Sequence, residues 1–117
     1  MKDTSLAALS SEIQKFVLER DWHQFHSPKN LSMALAVEAS ELMEHFQWME
    51  GEDSRTLEAE KLAGVKEEMA DVLVYLLRMA DELEVDLVET AFEKMKQNAL
   101  KYPAEKVKGS SRKYTEY

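Results

Sequence analysis

The sequence predicts an all-α fold, a four-helix bundle-like protomer read as a single domain over residues 1–117. Three observations predict it. Apolar residues recur at helical spacing along most of the 117 residues, only 3 Gly and 2 Pro interrupt them, and no stretch sustains the alternation of a strand. Residues 4–20 place Leu6, Leu9, Ile13, Phe16 and Val17 on one stripe, which predicts a first helix. A break follows at 21–29, holding Trp22, His23, Phe25, His26 and Pro28. Ser27-Pro28 and Asn30 both suit the start of a second helix, because a polar side chain caps free N–H groups and proline fits the first turn. This helix is expected to run to about Met49. Residues 51–54 form the next break. The third helix, about 56–83, carries a long apolar band through Leu62, Val65, Met69, Val72, Leu73, Leu76, Leu77, Ala80 and Leu83. The fourth starts at Asp86, with Glu89 at capping-box spacing, and continues through Leu87, Ala91, Met95 and Leu100 to Pro103. A tail, 104–117, has little periodicity. Amphipathic helices joined by short connections bury their stripes against one another as a bundle.

Composition narrows the function. There is no cysteine, hence no disulfide framework and no thiolate metal site. No apolar run approaches a membrane span, and residues 1–11 lack a basic start followed by an apolar block, so the expected location is the cytoplasm. The net charge is −8, and residues 38–71, with 11 acidic and 3 basic side chains, account for all of it. Residues 94–113 run the other way, setting Lys94, Lys96, Lys101, Lys106, Lys108, Arg112 and Lys113 against Glu105 alone. The acidic half suits a cation and the basic tail a polyanion; charge taken alone equally suits solvated helix faces. Duplex nucleic acid is not an expected partner, since the overall field repels it and no reading motif is present.

Two acidic pairs hold the chemistry: Glu38 with Glu41, and Glu68 with Asp71. Three positions apart on a helix means roughly 60° of rotation and about 4.5 Å of rise, so each pair shares a face. Glu38 adjoins Ala34, Leu35 and Leu42, and Glu68 adjoins Val65 and Val72, so these acids sit at the edge of apolar stripes. An unpaired carboxylate is costly there, and four converging ones repel unless a cation lies between them. Oxygen-only ligands suit Mg²⁺ or Mn²⁺ better than zinc. Trp48 follows Glu41 by two helical turns, about 10 Å along one row, and Tyr75 follows Asp71 by one turn. That separation is on the scale between a nucleotide's phosphates and its base, and Trp22 offers a second ring for stacking. Core packing is the plainer account of Trp48 and Tyr75. There is no glycine-rich phosphate loop, no Gly-flanked serine nucleophile, and no Glu-x-x-His on two helices as a di-iron bundle requires. His23, His26 and His45 suit surface or capping roles; His26 stands out because it shares the loop with Trp22.

The stretches ERDWHQFHSPKNL (19–31), EASELMEHFQW (38–48), EEMADVLVYLL (67–77), KMKQNALKYP (94–103) and KGSSRKY (108–114) together resemble the MazG-type nucleotide pyrophosphohydrolases of the all-α NTP pyrophosphatase superfamily, and more narrowly their dCTP pyrophosphatase branch. The likeness runs from about residue 16 to 114. It implies metal ligands at Glu38, Glu41, Glu68 and Asp71. It implies base-sandwiching rings at Trp22 and Trp48. It places Tyr75, Lys94 and Asn98 near sugar and phosphates, with His26 in the loop that carries Trp22. The basic tail, through Lys108, Arg112 and Lys113, matches a segment that closes over the nucleotide in relatives. The implied reaction is Mg²⁺-dependent hydrolysis of a (d)NTP between its α and β phosphates, giving the monophosphate and pyrophosphate. The implied assembly is a dimer or tetramer whose sites draw on more than one protomer. One departure is that Ile13 stands near the place where some relatives have a histidine, which leaves substrate preference open. The implied substrate is dCTP or a modified dCTP, with dUTP as an alternative. A non-catalytic helical domain offering an acidic face to a basic partner is the alternative of another class. A triphosphate carries about four negative charges, so an acidic pocket binds it only through metal, with Lys94 and the tail cations offsetting the remainder. Glu41 and Glu44 are the candidates for proton acceptor.

Overall fold

The computed structural model describes residues 3–116; the first two residues of the N-terminal stretch and Tyr117 of the tail lie outside them. The chain is all-α, with no strand among the described residues. It divides into two compact units, the first ending at Glu84 and the second beginning at Val85.

In the first unit, α1 spans Leu6–Glu19, α2 Pro28–Glu44 and α3 Ala59–Glu82. Both α1 and α2 pack on α3. Ser5 caps α1 by accepting from the Ala8 N–H at 3.1 Å. Ile13 and Val17, one turn apart, are its buried residues; with Leu31 of α2 and Val65, Leu77 and Ala80 of α3 they are the buried apolar side chains among the described residues. Ser27 caps α2 with Pro28 in its first turn, its hydroxyl accepting from the Asn30 N–H at 3.1 Å. The Asn30 side chain instead donates to the Phe25 carbonyl at 2.9 Å, tying the preceding loop to the helix.

The exit from α1 decides where the first tryptophan goes. Asp21 adopts φ 52°, the left-handed region that Asp tolerates better than most residues. Its N–H donates to the Leu18 carbonyl, and the Trp22 N–H reaches back to Val17, the bond pattern of a Schellman motif. That motif normally brings its outermost residue into apolar contact with the last turns of the helix. Here Trp22 meets Phe16 edge-on, with ring centroids 5.6 Å apart. A short 3₁₀ turn, His23–Phe25, completes the loop. Glu84, at φ 55°, turns the chain out of α3 in the same left-handed way.

The second helix is shorter than its sequence suggests. It ends at Glu44, and His45 and Phe46 donate to Leu42 and Met43, three residues back, at 3.3 and 2.9 Å. These three-residue bonds, with another from Met49 to Phe46, mix with one four-residue bond from Gln47 to Met43 at 3.0 Å, so no regular helix carries the row from Glu41 to Trp48. The ring of His45 lies against Gly64 of α3, where a Cβ would sit 3.0 Å from the His45 Cε1.

In the second unit, α4 spans Leu87–Lys101 and α5 Ala104–Val107. Asp86 caps α4, accepting from the Glu89 N–H at 3.0 Å, as the capping spacing predicts. Tyr102 leaves the helix with φ −126° and ψ 67°, outside the α region that the following Pro103 disfavours. The four residues of α5 are too few to show periodicity in sequence, which agrees with the little periodicity read in the tail. No residue of α4 is buried, and Val88, Phe92, Met95 and Leu100 are exposed.

Candidate active site

The packing of α2 on α3 brings the two acidic pairs together. One carboxylate oxygen from each of Glu38, Glu41 and Glu68 lies within 4.8 Å of the others. Asp71 stands outside that triad, yet its charge acts on Glu38. None of the four acids forms an ion pair with Lys, Arg or His among the described residues. Oε2 of Glu38 and Oε2 of Glu68 are buried with no hydrogen-bond partner. Unpaired buried acceptors of like charge are destabilising, and native proteins rarely leave them so.

The electrostatic consequence falls on Glu38. Burial, then the close carboxyls of Glu68 and Glu41 and the charge of Asp71, push it from 4.5 up to about 7. A raised carboxyl means that the metal-free fold holds a proton the unfolded chain has lost. Glu38's contribution to stability is therefore fully present below about 4.5 and is lost as pH rises through about 7. Thermal unfolding of metal-free protein should show this as a fall in Tm over that window, absent in Glu38→Gln. Added Mg²⁺ should raise Tm more at pH 8 than at pH 5. Equal pH slopes in wild type and variant would mean that Glu38 is not strained against its neighbours. The donor set fits a hard divalent cation: oxygens only, clustered, and orphaned where positive charge is lacking.

Beside the acids, a cavity of about 160 Å³ is walled by Trp22, His26, Asp71, Tyr75 and Arg78. Ile13, Phe16, Val17 and Val74 supply its apolar surface. The expected proximity of Tyr75 to Asp71 on one face of α3 is thus realised, and the α1–α2 loop adds Trp22 and His26 to it. A larger hollow of about 430 Å³ runs along α1 past Lys15 and Arg20, sharing Ile13, Phe16 and Val74, but it holds none of the paired acids.

Trp48 is not part of this cavity. It is 90% exposed, so core packing does not account for it, and the row from Glu41 that was expected to place it ends with α2. Lys94 and Asn98 lie four positions apart on one face of α4, with the Asn98 amide donating to the Met95 sulfur at 3.6 Å. Lys108 is the C-cap of α5, and the Arg112 side chain folds back on the Ser110 hydroxyl at 3.3 Å. The Lys113 N–H donates to the Glu116 carboxylate at 3.0 Å.

Sequence reasoning missed Arg78. Its guanidinium is 3% exposed, pairs with Glu82 at 2.8 Å and with Asp81 at 3.3 Å, and donates through Nε to Nδ1 of His26 at 3.1 Å. His23 reaches the other oxygen of Glu82 at 3.3 Å. The signal was present in the spacing: Asp71, Val74, Tyr75 and Arg78 follow i, i+3, i+4, i+7 on α3, so the arginine stands on the site's own face.

These features define a class: an all-α chain in which two packed helices each present an acidic pair beside an aromatic-lined cavity. The sequence matches the MazG-like family over residues 33–117, and the chain belongs to that family. It is 45% identical over 104 residues to dCTP pyrophosphatase 1 of Homo sapiens, covering 87% of this chain and 61% of that protein. To dCTP pyrophosphatase 1 of Rattus norvegicus it is 40% identical over 104 residues, again covering 87% and 61%. The chain thus spans about three-fifths of the length of these curated relatives. A crystal structure of a pyrophosphatase from Archaeoglobus fulgidus DSM 4304 superposes with a TM-score of 0.76 at 36% identity, covering 88% of this chain and 96% of that one.

Proposed function

We propose that this chain is a Mg²⁺-dependent nucleoside triphosphate pyrophosphohydrolase acting on dCTP or a modified dCTP in the cytoplasm, a role in sanitising the nucleotide pool. The observation that carries the reading is the pair of orphaned buried oxygens on Glu38 and Glu68. A non-catalytic acidic face would present its carboxylates to solvent, where water satisfies them. The membership of the MazG-like family and the likeness to dCTP pyrophosphatases and to a pyrophosphatase structure support the same reaction.

Glu38, Glu41, Glu68 and Asp71 would hold Mg²⁺, with Mn²⁺ as a substitute. A bound cation would supply charge compensation for the triphosphate and a lower pKa for the attacking water. The residues of the chain do the rest. Trp22 stacks the base and Tyr75 faces the sugar, while Lys94, Asn98 and the tail cations Lys108, Arg112 and Lys113 steady the phosphates. A carboxylate, Glu41 or Glu44, takes the proton as water oxygen bonds to the α phosphorus. The bond from that phosphorus to the α–β bridging oxygen breaks, and pyrophosphate leaves with the electron pair.

One protomer holds only part of this site. Ligand pockets are typically about 300–1,000 Å³, and the cavity here is about 160 Å³. The reading therefore includes a homo-oligomer, dimer or tetramer, in which Trp48 of one protomer completes the base site of another. Exposed Leu73 and Leu76 on α3 and the uncovered apolar stripe of α4 are the surfaces it would bury. Light scattering at micromolar concentration should give at least twice the 13.5 kDa chain mass. A monomer would refute the shared site.

The decisive assay incubates each dNTP, with dUTP and modified dCTPs included, with Mg²⁺ and identifies products. Monophosphate and pyrophosphate should appear, fastest from dCTP. Release of orthophosphate, or no turnover of any nucleotide, would overturn the proposal.

A further inference from the structure

We infer that Arg78 is a positioning residue that locks His26 as a hydrogen-bond donor at the edge of the bound base, and so favours cytosine. The inference rests on the proposed placement of a base against Trp22. The two histidine nitrogens are not equivalent here. Arg78 is always protonated and has no acceptor, so its Nε–H at 3.1 Å requires a lone pair on Nδ1 of His26. The ring proton must then sit on Nε2. Glu82 and Asp81 hold the other two guanidinium nitrogens at 2.8 and 3.3 Å, and Arg78 is 3% exposed, so Nε cannot turn elsewhere. Burial, and next the charge of Arg78, lower the His26 pKa, which keeps the ring neutral.

The donor so fixed has a place to act. Nε2 of His26 has no hydrogen-bond partner among the described residues, and His26 lines the same cavity as Trp22. Their ring centroids are 6.3 Å apart with planes tilted by 55°. Two rings so inclined do not stack on one base together. In the inferred placement, a base lying on the face of Trp22 turns an edge toward His26. Cytosine offers two adjacent acceptors on one edge, O2 and N3. Uracil and thymine share the O2 acceptor but carry an N3–H donor in place of the N3 lone pair. The inferred placement therefore sets the Nε2–H of His26 opposite N3, where cytosine accepts and the other two oppose. Stacking on tryptophan tolerates any base, so selection must come from a polar group of this kind.

The test separates recognition from turnover. In wild type, nitrogen-15 NMR of the histidine side chains should show His26 as the Nε2–H tautomer. Arg78→Lys keeps the charge near Asp81 and Glu82 but has no Nε, and should give a tautomer mixture. Calorimetry with Mg²⁺ and the non-hydrolysable α,β-methylene analogues of dCTP and dUTP then measures selectivity. A single lost hydrogen bond amounts to about tenfold. Arg78→Lys and His26→Ala should each weaken the dCTP analogue by about that factor and bring its preference over the dUTP analogue toward one. The double variant should lose no more than His26→Ala alone, because Arg78 acts through His26. Additive losses, an unchanged preference in His26→Ala, or an Nδ1–H tautomer in wild type would each overturn the inference. Binding with selectivity but without hydrolysis would instead fault the proposed reaction and leave this inference standing.

Discussion

Replacing Glu41 by Gln or Asp71 by Asn is expected to lower turnover by at least about 100-fold, and EDTA is expected to abolish it. Each substitution removes one carboxylate charge from the acidic cluster: Glu41 has an oxygen within 4.8 Å of the others, and Asp71 acts on Glu38 through its charge. The fold should persist, because the metal-free cluster is repulsive and loses one of its like charges. Circular dichroism and thermal unfolding check that second half. Gln and Asn keep the size of the side chain, so a loss of activity with Tm unchanged or raised isolates the charge. Full activity in EDTA, or in either variant, would contradict the site.

Removal of the rings should act on binding. Trp22→Ala and Trp48→Ala are each expected to raise KM about tenfold or more, by a similar factor for every nucleotide, since stacking contributes roughly 1–3 kcal/mol per base and does not depend on which base it is. The two positions differ in what else they cost. Trp48 is 90% exposed, so its removal should leave the protomer's stability close to unchanged. Trp22 packs edge-on against Phe16 at 5.6 Å, so Trp22→Ala should also loosen the exit of α1. Intrinsic fluorescence should change when nucleotide is added to wild type. An unchanged KM in both variants, with fluorescence indifferent to nucleotide, would place the base elsewhere.

The all-α class, the four main helices and the pairing of the acids were legible in the sequence, because each depends on local periodicity. Ser27-Pro28 and Asp86 with Glu89 marked helix starts that the structure reproduces, since capping uses only residues within one turn. Glu38 and Glu68 were visible as acids at apolar edges, and that edge position is what leaves an oxygen of each buried without a partner. The resemblance supplied the family, which the match over residues 33–117 bears out.

Other features were decided only in three dimensions. The end of α2 at Glu44 was hidden, because Phe46, Trp48 and Met49 continue apolar side chains past it while most of the backbone bonds there shorten to three residues. The inward turn of Trp22 needed a left-handed Asp21, a conformation that composition does not announce. Arg78 looked like one more charge on a long helix, and its burial followed from α1 and the His26 loop closing over it. By itself the sequence determined which residues could carry charge, stack or coordinate, since those are properties of side chains and their spacing. Which of them meet was decided by the packing of α1 and α2 on α3, because contacts between helices depend on where each helix stops and how the chain leaves it.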